Sequence, residues 1–176
     1  MSPHSLLVFA CLFGIANAHH STGNLAATIR ATQSSTGHGL GDASHAIDGN
    51  ENADFNLGSC SRTALEANPW WRVDLFYHYR VYTLEITTSK DGGALTGAKI
   101  NIGDSTKNNG RDNELCATIE SIPAGVTRIV RCNGLGVHGR FITISVASSN
   151  TSISLCEVEA FGAHDPHHEE GHEHSI

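Results

Sequence analysis

Positive charge is scarce in this chain. Eleven Lys and Arg stand against eighteen Asp and Glu among 176 residues, giving a formal charge of −7. That excludes the basic patch with which a protein holds nucleic acid or an anionic membrane surface. Bulky side chains are few as well, with one Met, two Trp, three Tyr and six Phe, so the core is modest and aliphatic. No Cys-x-x-Cys spacing occurs, which removes the usual framework for zinc or dithiol redox chemistry. Nucleophile-elbow, phosphate-loop and dinucleotide motifs are missing, as are an amphipathic helix and an internal repeat. No segment is long and apolar enough to span a membrane.

What is present begins with a leader. Leu6 to Ile15 is apolar but short, and Ala16-Asn17-Ala18 is a small-x-small cleavage site, so residues 1–18 read as a secretory signal. Its removal discards Cys11 and leaves Cys60, Cys116, Cys132 and Cys156. Four cysteines in a secreted chain suggest two disulfides, with three connectivities open. The chain is therefore expected to be extracellular. Residues 19–23 form a short N-terminal segment and residues 24–162 a single domain. From 163 to 176 five histidines and four acids alternate with Gly and Pro in a tail with no pattern for burial. His168-Glu169-Glu170-Gly171-His172 matches the zinc-protease motif there, but that chemistry needs a helix in a cleft and a third ligand. Loose binding of a transition metal by the tail histidines is the use this composition allows.

Several segments alternate apolar and polar residues with period two: Val81 to Thr88, Phe141 to Val146 and Ile153 to Phe161. Lys99 to Ile102 and Thr127 to Val130 read as shorter strands, with Gly, Asn, Asp and Ser in the gaps. A short turn is expected near Ala43 to Ile47. The pattern predicts an all-β, antiparallel sandwich or barrel whose loops carry the binding residues. In Trp70-Trp71-Arg72-Val73-Asp74, one Trp should enter the core and the other lie near the surface, with Arg72 and Asp74 pairing on one face.

Two distant segments read as halves of one site. Ala46-Ile47-Asp48-Gly49-Asn50 and Ser59-Cys60 form the first, Cys156-Glu157-Val158-Glu159 the second. A bridge between Cys60 and Cys156 would bring Glu157 beside the Asp48 turn. Two carboxylates with backbone carbonyls make a cage for a hard cation such as calcium. Asn150-Thr151-Ser152 is an N-glycosylation sequon in a turn, which makes Asn150 a candidate glycan carrier.

From Asn24 to Gly162 the chain resembles the F-type lectin, or fucolectin, family. The resemblance rests on Asn24-Leu25-Ala26, Ala31-Thr32-Gln33-Ser34, Ala46 to Asn50, Gly58-Ser59-Cys60, Ala67 to Leu75, Gly97 to Gly103, Gly139-Arg140-Phe141 and Leu155 to Glu159, in matching order. It implies an eight-stranded jelly-roll β-sandwich of the discoidin-like, galactose-binding type. It implies disulfides Cys60–Cys156 and Cys116–Cys132. It implies one calcium held by the carbonyls of His45 and Asn50, the Asp48 side chain, Ser59, the Cys156 carbonyl and the Glu157 side chain. It also implies glycan or glycoprotein partners, no catalysis, and a tendency to form homo-oligomers.

The sugar site departs from the family pattern of a His, an Arg, an Asp and a further basic residue. These positions fall on Arg62, Ser89, Asp91 and Thr96, and the family's adjacent cysteine pair falls on Gly92-Gly93. The fucose motif is thus degenerate. Arg62 can replace the His as a donor, and Lys90 is one position from the lost Arg. Arg62, Lys90 and Asp91 are the candidate carbohydrate contacts. Two functions suit this set: a calcium-containing lectin with specificity shifted away from fucose, or a matrix protein that uses the lectin fold as a scaffold and the tail for metal or mineral.

Overall fold

In the computed structural model, residues 23–27, 30–37 and 39–164 are described. The five segments read as strands fall within β3, β4, β6, β7 and β8 of eight strands among the described residues: β1 Arg30–Gln33, β2 Ser61–Arg62, β3 Trp70–Thr88, β4 Leu95–Gly103, β5 Glu114–Ile122, β6 Thr127–Arg131, β7 Val137–Val146 and β8 Ser154–His164. Every pairing among them is antiparallel. The expected leader lies outside the described residues, as does the tail from residue 165. The first two tail residues are strand: Ala163 lies opposite Arg80 and His164 opposite Tyr79. The His164 ring meets Tyr77 and Tyr79 edge-on at 6.3 and 5.5 Å, so aromatic contact carries the strand past Gly162.

β3 organises the whole. Its first half pairs with β1 and β7, and its second half with β6 and β8. Between the halves the register breaks from Asp74 to Tyr79. Phe76 sits there with φ 63°, and its N–H donates to Asp74 Oδ1 at 2.9 Å. That local turn bends the strand, as bulges do. One layer is therefore β1-β3-β7-β4-β5 and the other β2-β8-β3-β6, joined through a shared strand.

The two layers close on one apolar core. Trp71, Val73 and Leu75 come from the first half of β3, Leu84 and Ile86 from the second, with Ile100, Ile102, Ile142, Ile144 and Val158 between them. Each fully buried side chain of this size contributes about 1.5–3 kcal/mol. Trp71 is fully buried and its indole N–H donates to the Ala43 carbonyl at 3.0 Å. That bond fastens the 3-10 turn Ala43–Ala46, where a turn was expected. Trp70 is half-buried on the opposite face.

The expected Arg72–Asp74 pair does not form. Asp74 is taken by Arg140 on the neighbouring strand, through Nε at 2.6 Å and Nη2 at 2.8 Å. Arg72 instead lies over the Trp70 and Phe141 rings at 5.1 and 5.5 Å. The planar fork of Arg140 satisfies both carboxylate oxygens at once, which a neighbour on the same strand cannot do as well. β5 escaped the period-two reading because its burial does not alternate. A register shift opposite Ile100 and Asn101 leaves Cys116 and Ala117 both buried.

Both implied disulfides are present. Cys116–Cys132 joins β5 of one layer to the residue after β6 of the other, and Cys60–Cys156 ties the start of β2 to β8. Their sequence separations are 16 and 96 residues. Loop-closure entropy gives about 3 kcal/mol for the short loop and about 4.7 kcal/mol for the long one. Replacing Cys60 and Cys156 by Ala should therefore lower unfolding free energy more than replacing Cys116 and Cys132. Denaturant unfolding of the two double variants measures the difference, and equal losses would contradict the entropic ranking.

Candidate functional site

The loop from Asp48 to Ser59 winds on its own short polar side chains. The backbone N–H of Asn50 donates to Asp48 Oδ1 at 2.9 Å, that of Asn52 to Asn50 Oδ1 at 3.2 Å, that of Asp54 to Asn52 Oδ1 at 3.0 Å, and that of Asn56 to Asp54 Oδ1 at 3.0 Å. Asn and Asp favour such bonds two residues on, so this Asn- and Asp-rich run specifies a tight coil. Gly49 begins the coil at φ 81°, a left-handed backbone that a side chain would strain. Ser59 is buried and its hydroxyl lies against the Asn52 and Asp54 carbonyls at 2.6 and 2.8 Å, which turns these oxygens inward.

Glu157 meets this loop from β8. It lies opposite Thr87 in β3, while Leu155 lies opposite Thr88, so Cys156 is the extra residue of a bulge. Bulges re-aim backbone groups, and this one removes Cys156 from the ladder beside its own disulfide. Glu157 is 2% exposed. Its Oε2 accepts the Gly49 N–H at 3.0 Å, and its Oε1 is buried with no partner. Burial pushes the carboxyl up to about 7; the Gly49 N–H opposes this, and the charges of Asp48, Glu159 and Glu51 add to it. A buried carboxylate facing like charges is costly unless a cation joins it.

The structure thus brings Asp48, Asn50, Ser59, Cys156 and Glu157 to one end of the sandwich. His45 stands at the adjoining 3-10 turn, its ring Nδ1 2.8 Å from the Leu40 carbonyl, which leaves only its backbone for the loop. Among the described residues no group of three or more His, Cys, Asp and Glu side chains forms a metal cluster. The donor set here is two carboxylates with carbonyl and hydroxyl oxygens, which suits a hard cation and not zinc or copper.

Next to this loop lies Arg62. It pairs with Ser154 across β2 and β8, and its Nε donates to Ser154 Oγ at 3.2 Å. Its Nη2 reaches Ser89 Oγ at 3.4 Å, and the guanidinium lies 3.7 Å over the Phe55 ring. Partial burial lowers its pKa, opposed by the charge of Asp91. Asp91 accepts the Phe55 N–H at 3.3 Å, so cation, ring and carboxylate form one shelf. Gly92 has no room for a side chain, since a Cβ would stand 2.5 Å from Ser154 Cβ. Lys90 points elsewhere: its Nζ pairs with Asp54 Oδ2 at 2.9 Å and braces the coil. Asn150 is exposed in its turn, with Thr151 bridged to Glu66.

Phe55 and Ser154 escaped the sequence reading. The available signal was one aromatic residue inside an otherwise polar Asn- and Asp-rich loop.

Comparison with known proteins gives concordant likenesses. Residues 45–144 match the family described as NedA-like, galactose-binding domain. Fucolectin-1 of Anguilla japonica is 41% identical over 142 residues, covering 77% of this chain and 79% of its own. A fucolectin from striped bass (Morone saxatilis) serum superposes with a TM-score of 0.77 at 41% identity, over 81% of this chain and 49% of that one. The chain therefore spans about half the length of the bass protein. The lectin domain of lectinolysin, complexed with Lewis b antigen, superposes with a TM-score of 0.67 at 27% identity, over 81% of this chain and 99% of that one.

The raised Glu157 carboxyl fixes the sign of a pH effect. Its contribution is complete below the ordinary value of 4.5 and is lost as pH rises through about 7. In a chelator, the melting temperature should fall between about pH 5 and about pH 8, and Glu157→Gln should flatten that slope. Calorimetry across the window checks both, and a slope unchanged in Glu157→Gln would remove the assignment.

Proposed function

The chain belongs to the F-type lectin, or fucolectin, family, and on that premise we propose that it is a secreted, calcium-stabilised glycan-binding protein whose sugar site is centred on Arg62. It is a carbohydrate-binding module without catalysis, as its relatives are. The observation that carries the reading is the guanidinium of Arg62, held flat on Phe55 and bonded to Ser154 and Ser89.

A sugar is oriented by a few rigid donors and acceptors beside an apolar surface. Arg62 supplies fixed donors, Asp91 an acceptor, and Phe55 the stiff base beneath them. The Nη2 of Arg62 extends to Ser89, the position at which the family pattern has its own Arg, so one long cation spans two places. Ser89 is fully buried and Lys90 is tied to Asp54, so neither supplies a second cation. Each missing charge-assisted hydrogen bond removes about 1.5–3 kcal/mol, roughly tenfold to a hundredfold in affinity. Specificity shifted away from fucose follows from that loss.

Secretion is supported by the apolar leader of the sequence, by the two disulfides and by the serum origin of the bass relative. No helix among the described residues is long and apolar enough to cross a membrane. The exposed Asn150 sequon suits a glycan.

The residues at the 48–59 loop fit calcium. The unpartnered Glu157 Oε1 and the like charges around it are what such an ion would satisfy. Asp48 and Glu157 would hold it with Ser59 and the carbonyls of His45, Asn50 and Cys156. The ion would supply positive charge that fixes the loop carrying Phe55.

Two tests follow. Calcium at a hundredfold excess over its Kd should stabilise the fold by about 2.7 kcal/mol relative to EDTA, and Asp48→Ala should behave like EDTA; equal melting temperatures would remove calcium from the reading. On a glycan array the calcium-loaded protein should retain ligands that Arg62→Ala loses, while calorimetry with free L-fucose gives a weak or undetectable isotherm. Array binding untouched by Arg62→Ala would displace the site from Arg62, and a strong fucose isotherm would overturn the shifted specificity.

A further inference from the structure

The outward face of the β1-β3-β7 layer carries a second constellation, used neither by the cation loop nor by the Arg62 shelf. Arg30, Thr32, Arg72, Asp74 and Phe141 line a cleft of about 230 Å³. The register places them together: Arg30 lies opposite Asp74, Thr32 opposite Arg72, and Asp74 opposite Phe141. Side chains of one strand face share a side every second residue, so all five project from the same surface.

The charges in this cleft do not balance. Asp74 is its only acid among the described residues, and both oxygens of that carboxylate are held by Arg140, at 2.6 and 2.8 Å. Burial alone would raise the Asp74 carboxyl, but the Arg140 and Phe76 hydrogen bonds and the charges of Arg140 and Arg30 bring it below its ordinary value. Among the described residues Arg30 and Arg72 make no side-chain hydrogen bond or ion pair, and Nη1 of Arg72 is buried without a partner. Arg72 is held by its place over Trp70 and Phe141, at 5.1 and 5.5 Å. Stacking fixes a guanidinium without consuming its N–H groups. Arg30, Arg72 and Arg140 all act on the Asp74 carboxylate, and Asp104 is a second acid acting on Arg140 alone of the three, on a chain whose overall charge is −7. Arg30 and Arg72 are diagonal neighbours across two strands, and the one carboxylate whose charge reaches both, Asp74, has its two oxygens engaged by Arg140.

We propose that this cleft binds one acidic sugar residue, its carboxylate or sulfate group held by Arg72 and Arg30 and its ring lying against Phe141. The size supports a single ring, since 230 Å³ falls below the about 300–1,000 Å³ of pockets for drug-sized ligands. Phe141 lines the cleft while its ring also carries Arg72 and Arg140 at 5.5 and 5.1 Å, so a sugar ring would meet an apolar side chain beside the guanidinium groups, which a bare inorganic anion would leave uncovered. The oxyanion supplies the acceptors that both guanidinium groups lack. Binding here is independent of Arg62, which lies at the other end of β3, beside Ser89.

The test is an amide-shift titration of the calcium-loaded protein with D-glucuronic acid, with D-glucose 6-sulfate and with neutral D-glucose. Saturable shifts centred on Thr32, Arg72 and Phe141 with at least one acid, and none with glucose, are expected. The acid that works distinguishes carboxylate from sulfate. Arg72→Gln and Arg30→Gln should each weaken binding about tenfold or more. Arg30 is exposed on the short strand β1, so its variant keeps the test open if Arg72→Gln fails to fold. The proposal is overturned by no saturable shift with either acid, by equal shifts with glucose, by shifts centred on Asp91 and Ser154 instead, or by undiminished affinity in a folded Arg30→Gln variant.

Discussion

The Cys60–Cys156 bridge fixes the geometry of both ends of the site at once, because each half of it stands one or two residues from a functional group. Glu157 follows Cys156 and turns under Gly49. Arg62 lies two residues after Cys60, and its partner Ser154 two residues before Cys156. With the sulfurs joined, the bulge at Cys156 cannot slide, and a slip of one residue would invert every side chain on β8. The bridge therefore sets a register as well as closing a loop of 96 residues.

The loop proposed to hold a cation and the shelf proposed to hold a sugar share a single segment. Asp48 to Ser59 carries an acid and a hydroxyl at its ends, and Phe55 in its middle, after the Asn52 and Asp54 carbonyls that Ser59 holds. The ring of Phe55 supports Arg62, and its N–H binds Asp91. Loss of charge balance at Glu157 would loosen the coil, and the coil positions the base on which Arg62 rests. Lys90 enters the same chain of contacts through Asp54, so a residue picked as a ligand contact acts as a brace for the loop. Coupling between the proposed ion and sugar would need no large motion, only order in the 48–59 loop.

Much of this was legible in the residues. Period-two alternation marked the cores of β3, β7 and β8, because one face of each packs on the apolar interior. Its failure at β5 has a local cause, the register shift that buries Cys116 and Ala117 together. The split of Trp70 and Trp71 followed from strand geometry alone. The Asp74 partner did not, because a bidentate fork from Arg140 depends on which strand lies beside β3, and alternation says nothing of strand order. Phe55 was hidden for a similar reason: stacking of Arg62 on a loop aromatic is a tertiary contact between segments that no local pattern joins.

The positions that depart from the family's fucose pattern lie where this fold tolerates substitution. Arg62, Asp91 and Thr96 lie outside the hydrophobic core, and Ser89, though buried, contributes a hydroxyl and not apolar area. Their replacement leaves Trp71, Ile100, Ile144 and their neighbours packed as before, so the stability of the sandwich does not constrain them. Constraint enters only where a loop residue touches the frame. Gly92 is such a place, since any side chain there would collide with Ser154, the residue that fixes Arg62. A side chain at position 92 is therefore incompatible with this placement of Ser154. Glycine at 92 leaves Ser154 free to hold Arg62, whose guanidinium then reaches across to Ser89.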